Sequence, residues 1–202
     1  CQFDTAYHEH YSYLSLTAEQ RIYLANGLDI FDVEEIGTHG GSLRVFAQRS
    51  DSGYHSVHSS VAHVLQTEQE VGLASAAFYR EFQRQPERIS RELLSFLIAQ
   101  AQSGGRVAAY GAAAKGNTML NFAGVRPHLL PYVVDKNPAK QCKFMPGSRI
   151  PIVDEEHLRA HRPTHVLILP WNIKIEIMEQ LKYVREWGGK FVTAIPALEV
   201  LP

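Results

Sequence analysis

Residues 4–13, DTAYHEHYSY, set His8 and His10 on either side of Glu9 and interleave them with Tyr7, Tyr11 and Tyr13. Three chemistries suit such a run. Two imidazoles and a carboxylate are metal ligands. A histidine with its ordinary pKa of about 6.5 is a general base near neutrality. Tyrosine and histidine also make the polar rim of a packed core. In an extended segment alternate residues point to opposite sides, so His8 and His10 do not readily face one ion. Nothing nearby completes a ligand spacing, and no metal is expected here. His8 reads as packing, and His55, His58 and His63 as loop histidines without convergent partners. The residues alone leave His10 open between packing and acid/base work.

A second group lies in VAAYGAAAKGNT, residues 107–118, which reads as a strand, a small-residue turn and a helix. In open parallel sheets ligands sit at the carboxyl ends of strands, where a helix N-terminus offers N–H groups to phosphate. Gly111 and Gly116 permit a tight turn, and Lys115 can place a charge on an anion. Asp135 ends the next strand, where a carboxylate often accepts ribose hydroxyls. The G-x-G-x-x-G pattern is incomplete, however, because Ala113 replaces its second glycine. The pattern G-x-x-x-x-G-K-[ST] fails as well, since Asn117 stands where its lysine belongs. Spacing alone leaves a phosphate-bearing ligand and a purely structural turn both open. Asn172, after Pro170-Trp171 at the end of a later strand, falls on the same ligand side and also suits a helix cap.

Alternating short apolar strands and helices position this second group. RVAAY, YVVD, HVLIL and KFVTAI read as strands, with helices at KGNTMLNFAG, VDEEHLRAH and IKIEIMEQLKYVREW between them. That alternation predicts α/β architecture, a Rossmann-like parallel sheet with helices on both faces. Before it, residues 66–103 are helical in pattern, with Val71, Phe78, Phe82, Ile89, Leu93, Phe96 and Leu97 recurring at helical spacing and Pro86 marking a break or a new first turn. Earlier still, LTAEQRIYLANG predicts a helix with Thr17 as N-cap and Ile22, Leu24 and Ala25 as its apolar stripe. DIFDVEEIG and GSLRVFAQR predict a hairpin around THGG. The expected divisions are residues 1–50, a connecting loop and helices over 51–104, and the sheet domain over 105–202.

Composition narrows the class. The formal net charge is −1, which excludes the broad positive field of a nucleic-acid binder. Seven basic residues against the single acid Asp135 between Arg106 and Arg149 fit either a solvated basic face or a site for a small anionic ligand. Two cysteines, Cys1 and Cys142, are too few for a disulfide framework or a zinc module. Without a signal peptide or a membrane-length apolar run, the expectation is a cytoplasmic protein with no membrane or nucleic-acid partner. The abrupt opening suggests a fragment.

Six blocks in one order carry a resemblance: YHEHYSYLSL, THGGSLRV, YGAAAKGNTMLN, VVDKNPAKQ, MPGSRIPI and LILPWNIKIEI. Together they resemble the C-terminal part of the sugar-nucleotide C-methyltransferases and cover essentially the whole chain. Ala113 departs from the family, where many relatives have proline. The resemblance implies a methyl transfer from S-adenosylmethionine to a carbon next to the ketone of a nucleoside-diphosphate 4-keto-deoxyhexose, commonly a dTDP sugar. It implies His10 as general base, with Glu9 and Tyr7 orienting the base or the sugar. It also implies diphosphate and nucleoside binding by Gly111, Lys115, Gly116, Asn117, Asp135 and Asn172, with His39 or Ser42 donating hydrogen bonds to the sugar. S-adenosylmethionine is expected to be held mainly by a domain absent from this chain, and zinc only by an absent N-terminal module. A stand-alone nucleotide-binding or sensing module without catalysis is the alternative.

Overall fold

The computed structural model describes residues 2–202, apart from the side chain of His39. The chain forms two compact units, one of residues 11–83 and one of residues 1–10 with 84–202. These units do not fall on boundaries at 50 and 104. Phe3 lies in the core of the parallel sheet, and the helix ending at Gln102 covers that sheet, so both belong with the C-terminal residues.

In the unit of residues 11–83, Ser15 caps the first helix, α1 (Leu16–Ala25), by accepting from Ala18 N at 3.2 Å. The helix therefore starts before Thr17. A second anchor comes from far along the chain: the Glu68 carboxylate accepts from Leu16 N at 2.7 Å and Thr17 N at 2.8 Å. That carboxylate meets unpaired helix donors and the positive end of the helix dipole. The expected stripe is turned outward, with Ile22 49% and Leu24 56% exposed. Leu16 is buried instead, with Ile30, Val33 and Val61. A small layer over one hairpin has only a narrow face to cover, and the register set by Ser15 and Glu68 gives that face to Leu16. The hairpin is β1 (Leu28–Ile36) paired antiparallel with β2 (Ser42–Arg49), closed by Ile36 opposite Ser42. Two further helices follow, α2 (Ser59–Glu70) and α3 (Ala76–Arg80).

The other unit opens its main run with α4 (Arg84–Gln102), which has Pro86 in its first turn. Ile89, Leu93 and Leu97 are 1%, 0% and 0% exposed, as their four-residue spacing predicts. Truncating any of them to alanine should cost about 2–5 kcal/mol. Next come β3 (Val107–Tyr110), α5 (Ala114–Phe122), β4 (Val133–Val134), β5 (Ile152–Val153), α6 (Glu155–His161) and β6 (His165–Ile168). The chain closes with α7 (Lys174–Gln180), β7 (Lys190–Thr193) and β8 (Glu199–Leu201). The sheet order is β5-β4-β3-β6-β7-β8, with β3 to β7 parallel and β8 antiparallel to β7. Alternation along β3 sorts the two faces. Val107 and Ala109 join α4 and α5, while Ala108 and Tyr110 join α6 and α7. This is the Rossmann-like arrangement, in which the strand order reverses between β3 and β6.

One local expectation needs correction. The helix expected over IKIEIMEQLKYVREW is α7 followed by a 3-10 segment, Lys182–Trp187, because Leu181 leaves helical geometry at φ −98° and ψ 21°. The MPGSRIPI turn leads into β5, whose two residues are too few to show a period.

Candidate functional site

The reversal between β3 and β6 leaves a crevice at their carboxyl ends, and the residues following those strands line it. Gly111 has φ +92°, and a Cβ there would sit 2.6 Å from Cδ and Cγ of Pro170. A Cβ on Gly116 would sit 2.6 Å from the Leu169 Cβ. Both glycines are thus required by the fold itself, one for a left-handed turn and both for close approach of β3 and α5 to the end of β6. Ala113 occupies the N-cap of α5 without a side-chain cap. In the first turn, Lys115 is only 7% exposed, with its ammonium 5.0 Å from the centroid of the Trp171 ring. Burial pulls its pKa below the ordinary value, and the charge of Asp4 opposes that shift. Asn117 Oδ1 is buried without a donor among the described residues.

Asp135 has a clear structural task. Its carboxylate accepts from Ala112 N at 2.7 Å and Asn137 N at 2.8 Å. Lys140 Nζ lies 3.4 Å from it and donates to Ala112 O at 2.8 Å. Asp135 therefore ties the loop after β4 to the turn after β3. Asn172 lies in a 3-10 turn, Trp171–Ile173, that has no side-chain cap, and Ile173 is the N-cap of α7. The cap role expected of Asn172 is not found. Its half-buried side chain makes no hydrogen bond to a described residue.

The histidine segment enters the same unit. A 3-10 turn, Phe3–Thr5, sets Phe3 against Phe122 with ring centroids 5.0 Å apart. Asp4 is 1% exposed and accepts from Trp171 Nε1 at 2.7 Å. Burial raises the Asp4 carboxyl above its usual range, although the Trp171 hydrogen bond and the Lys115 charge pull it down. Thr5 O then lies 2.8 Å from His10 Nδ1. A carbonyl only accepts, so Nδ1 carries a proton, and in the neutral ring Nε2 carries the lone pair. A turn bond from His10 N to Tyr7 O at 2.9 Å sets the Tyr7 ring 4.2 Å from the imidazole. Glu9 points elsewhere, 3.8 Å from His8 Nε2, and both side chains are largely exposed. Among the described residues, no group of three or more His, Cys, Asp and Glu can hold a metal ion.

Ser42 and His39 belong to the unit of residues 11–83. Ser42 Oγ donates to Thr38 O at 3.1 Å, and His39 lies in a 3-10 turn, its side chain outside the described residues. A hollow of about 660 Å³ is lined there by Ser42, Gly41, Ile36, Glu35, Glu19 and Leu14. Sequence reasoning passed over Asp4, the indole N–H of Trp171, and a half-buried network at the end of β3. In that network Tyr110 donates to Glu155 Oε1 at 3.0 Å, and Gln180 donates to both partners. Only the position of Tyr110 at the last residue of a strand hinted at it.

A family model described as the C-methyltransferase C-terminal domain matches residues 37–196. The chain belongs to this family. A relative, the C-methyltransferase NovU of Streptomyces niveus, is 37% identical over 200 residues. The match takes in 99% of this chain and 47% of the relative, so the chain spans about half of that protein's length. For a C-methyltransferase C-terminal domain, the methyl donor to test is S-adenosylmethionine. Its ribose calls for an open carboxylate and its tail for a bare glycine turn. Asp135 is committed to two backbone N–H groups, and Pro170 fills the space against Gly111. The switch-point residues do not fit that donor. Among the described residues, no helix is long and apolar enough to cross a membrane.

Proposed function

We propose that this chain presents a nucleoside-diphosphate 4-keto-deoxysugar for methylation at the carbon next to the ketone, with His10 as the general base. One observation carries the reading: His10 Nδ1 lies 2.8 Å from Thr5 O and donates to it, so in the neutral ring the lone pair is on Nε2, on a turn that packs in the same unit as the switch point. A C–H beside a ketone is weakly acidic, so removing it needs a positioned base and a partner for the enolate oxygen. A neutral imidazole can take such a proton. Tyr7, tilted against the imidazole, limits its motion and offers a hydroxyl for the sugar, and Glu9 lies next to it in the turn.

In this reading Lys115, the N–H groups of the first turn of α5, Asn117 and Asn172 hold the diphosphate. Gly111, Gly116 and Asp135 act by shaping the loops that carry them. S-adenosylmethionine is the methyl donor and is bound mainly by residues outside this chain. The reading makes the protein a cytoplasmic enzyme of deoxysugar biosynthesis acting on a small molecule.

Proton exchange tests the base without a methyl donor. The full-length protein, given a dTDP-4-keto-deoxysugar in deuterated water, should exchange the proton on the reacting carbon. His10→Asn should abolish that exchange while leaving substrate affinity by calorimetry within twofold. Exchange at the wild-type rate in the variant would assign the base elsewhere.

A further inference from the structure

We infer that Asp4 is a positioning residue, which locks the His10 imidazole to the switch point of the sheet through Trp171 and Lys115. The inference rests on His10 being the base, as proposed above, and adds a residue to that site. Asp4 is 1% exposed, and its Oδ1 has no hydrogen-bond partner among the described residues. Burying a half-satisfied carboxylate is costly, and an apolar side chain of the same size would pack there at less cost. The fold keeps it, so its interactions with Trp171 and Lys115 must matter. Oδ2 accepts from the indole N–H of Trp171 at 2.7 Å, across 167 residues of sequence. The ammonium of Lys115, 5.0 Å from the same indole ring, attracts its charge.

Trp171 and Lys115 follow β6 and β3, the two strands that flank the switch point. On its other side Asp4 is bonded covalently to Thr5, whose carbonyl holds His10 Nδ1. The intervening turn is stiff. Thr5 N and Oγ1 both donate to Gln2 O, at 3.1 and 2.8 Å, and Ala6 N donates to Phe3 O at 3.0 Å. Movement of Asp4 away from Trp171 therefore displaces the carbonyl that selects the His10 tautomer. A group bound against Lys115 shares a partner with Asp4, so substrate binding and alignment of the base are linked through one side chain.

The test uses the full-length protein, labelled with nitrogen-15 at histidine. In the wild type, His10 should show the Nδ1–H tautomer by NMR. Asp4→Leu removes the acceptor and Trp171→Phe removes the donor, so each should abolish that signature. Each should also lower kcat by about tenfold or more, with KM within twofold, as expected of a misplaced catalytic group. Asp4→Asn retains an acceptor for the indole and should restore most of both. In a His10→Asn background, Asp4→Leu should cause no further loss, because both changes disable one unit. Persistence of the Nδ1–H signature in folded Asp4→Leu and Trp171→Phe would overturn the inference, as would losses that multiply with His10→Asn. Failure of the base assignment is read separately: His10→Asn would then keep full proton exchange, whatever the tautomer does in the Asp4 variants.

Discussion

The two ends of the parallel sheet each carry a histidine whose Nδ1 meets a backbone carbonyl at 2.8 Å, His10 on Thr5 O and His161 on His157 O. Both imidazoles are therefore held in the same tautomer. The amino end also has the obvious hollow, about 640 Å³ lined by Leu97, Val107, Leu129, Pro151, His128, His157 and His161. Yet its imidazoles pack on one another, with His157 and His161 stacked 3.8 Å apart and Tyr132 edge-on to His157. The carboxyl end brings a helix N-terminus, a nearly buried lysine and a buried carboxylate to the strand-order reversal. A fixed tautomer and a roomy hollow do not by themselves make a reaction centre. Convergence of charge on the end of the sheet where backbone donors point is the difference.

The largest effect should separate the two histidines. His10→Asn should reduce proton exchange by about 10²–10⁴-fold. His161→Asn should change it by less than about twofold, and equal losses would erase the contrast. Glycines at the two ends come next. Gly111→Ala meets Pro170 and a positive φ, and should lose about 3 kcal/mol in urea unfolding. Gly104, at φ +77° with nothing within 4 Å of its Cβ position, should lose only about 1 kcal/mol as alanine. Lys115→Met should weaken dTDP binding in calorimetry about tenfold, or about 1.4 kcal/mol. Arg106→Met, at the amino end, should leave dTDP affinity unchanged.

The smallest effects are in pH dependence, and they have opposite signs at the two ends. Burial raises the Asp4 carboxyl above 3.8, so the folded state holds its proton longer than the unfolded chain does. Its contribution therefore falls as pH rises through and above that value. Asp4→Asn should accordingly gain thermal stability, relative to wild type, on going from pH 4 to pH 7. Burial, aided by the neighbouring His161, lowers His157 below 6.5. The unfolded chain then binds the proton first, and stability falls as pH drops below that value. His157→Gln should flatten this acid limb in a melting series.

The parallel sheet was legible because its signals are local. VAAYGAAAKGN shows a short apolar run, a positive-φ glycine and a helix start within a dozen residues. The stripe of α4 was equally plain, since Ile89, Leu93 and Leu97 recur on a helical period over a wide sheet. Misreadings came where a distant residue decided the outcome. Glu68 helped start α1 ahead of Thr17, and the small hairpin layer left Ile22 and Leu24 outward. Among the candidate site residues, Gly111 and Asp135 drew attention as ligand contacts, but their demonstrated partners are Pro170 and Ala112 N. A glycine that admits a phosphate and one that admits a proline ring look the same in sequence.

By itself the sequence determined the α/β alternation, the strand–turn–helix at Gly111 and the family, because periodicity, turn chemistry and ordered motifs are properties of neighbouring residues. Tertiary structure alone decided that residues 1–10 join the sheet unit, that Asp4 meets Trp171, and which nitrogen of His10 is basic. Those outcomes depend on contacts between distant segments and on burial of charge, and neither leaves a local pattern to read.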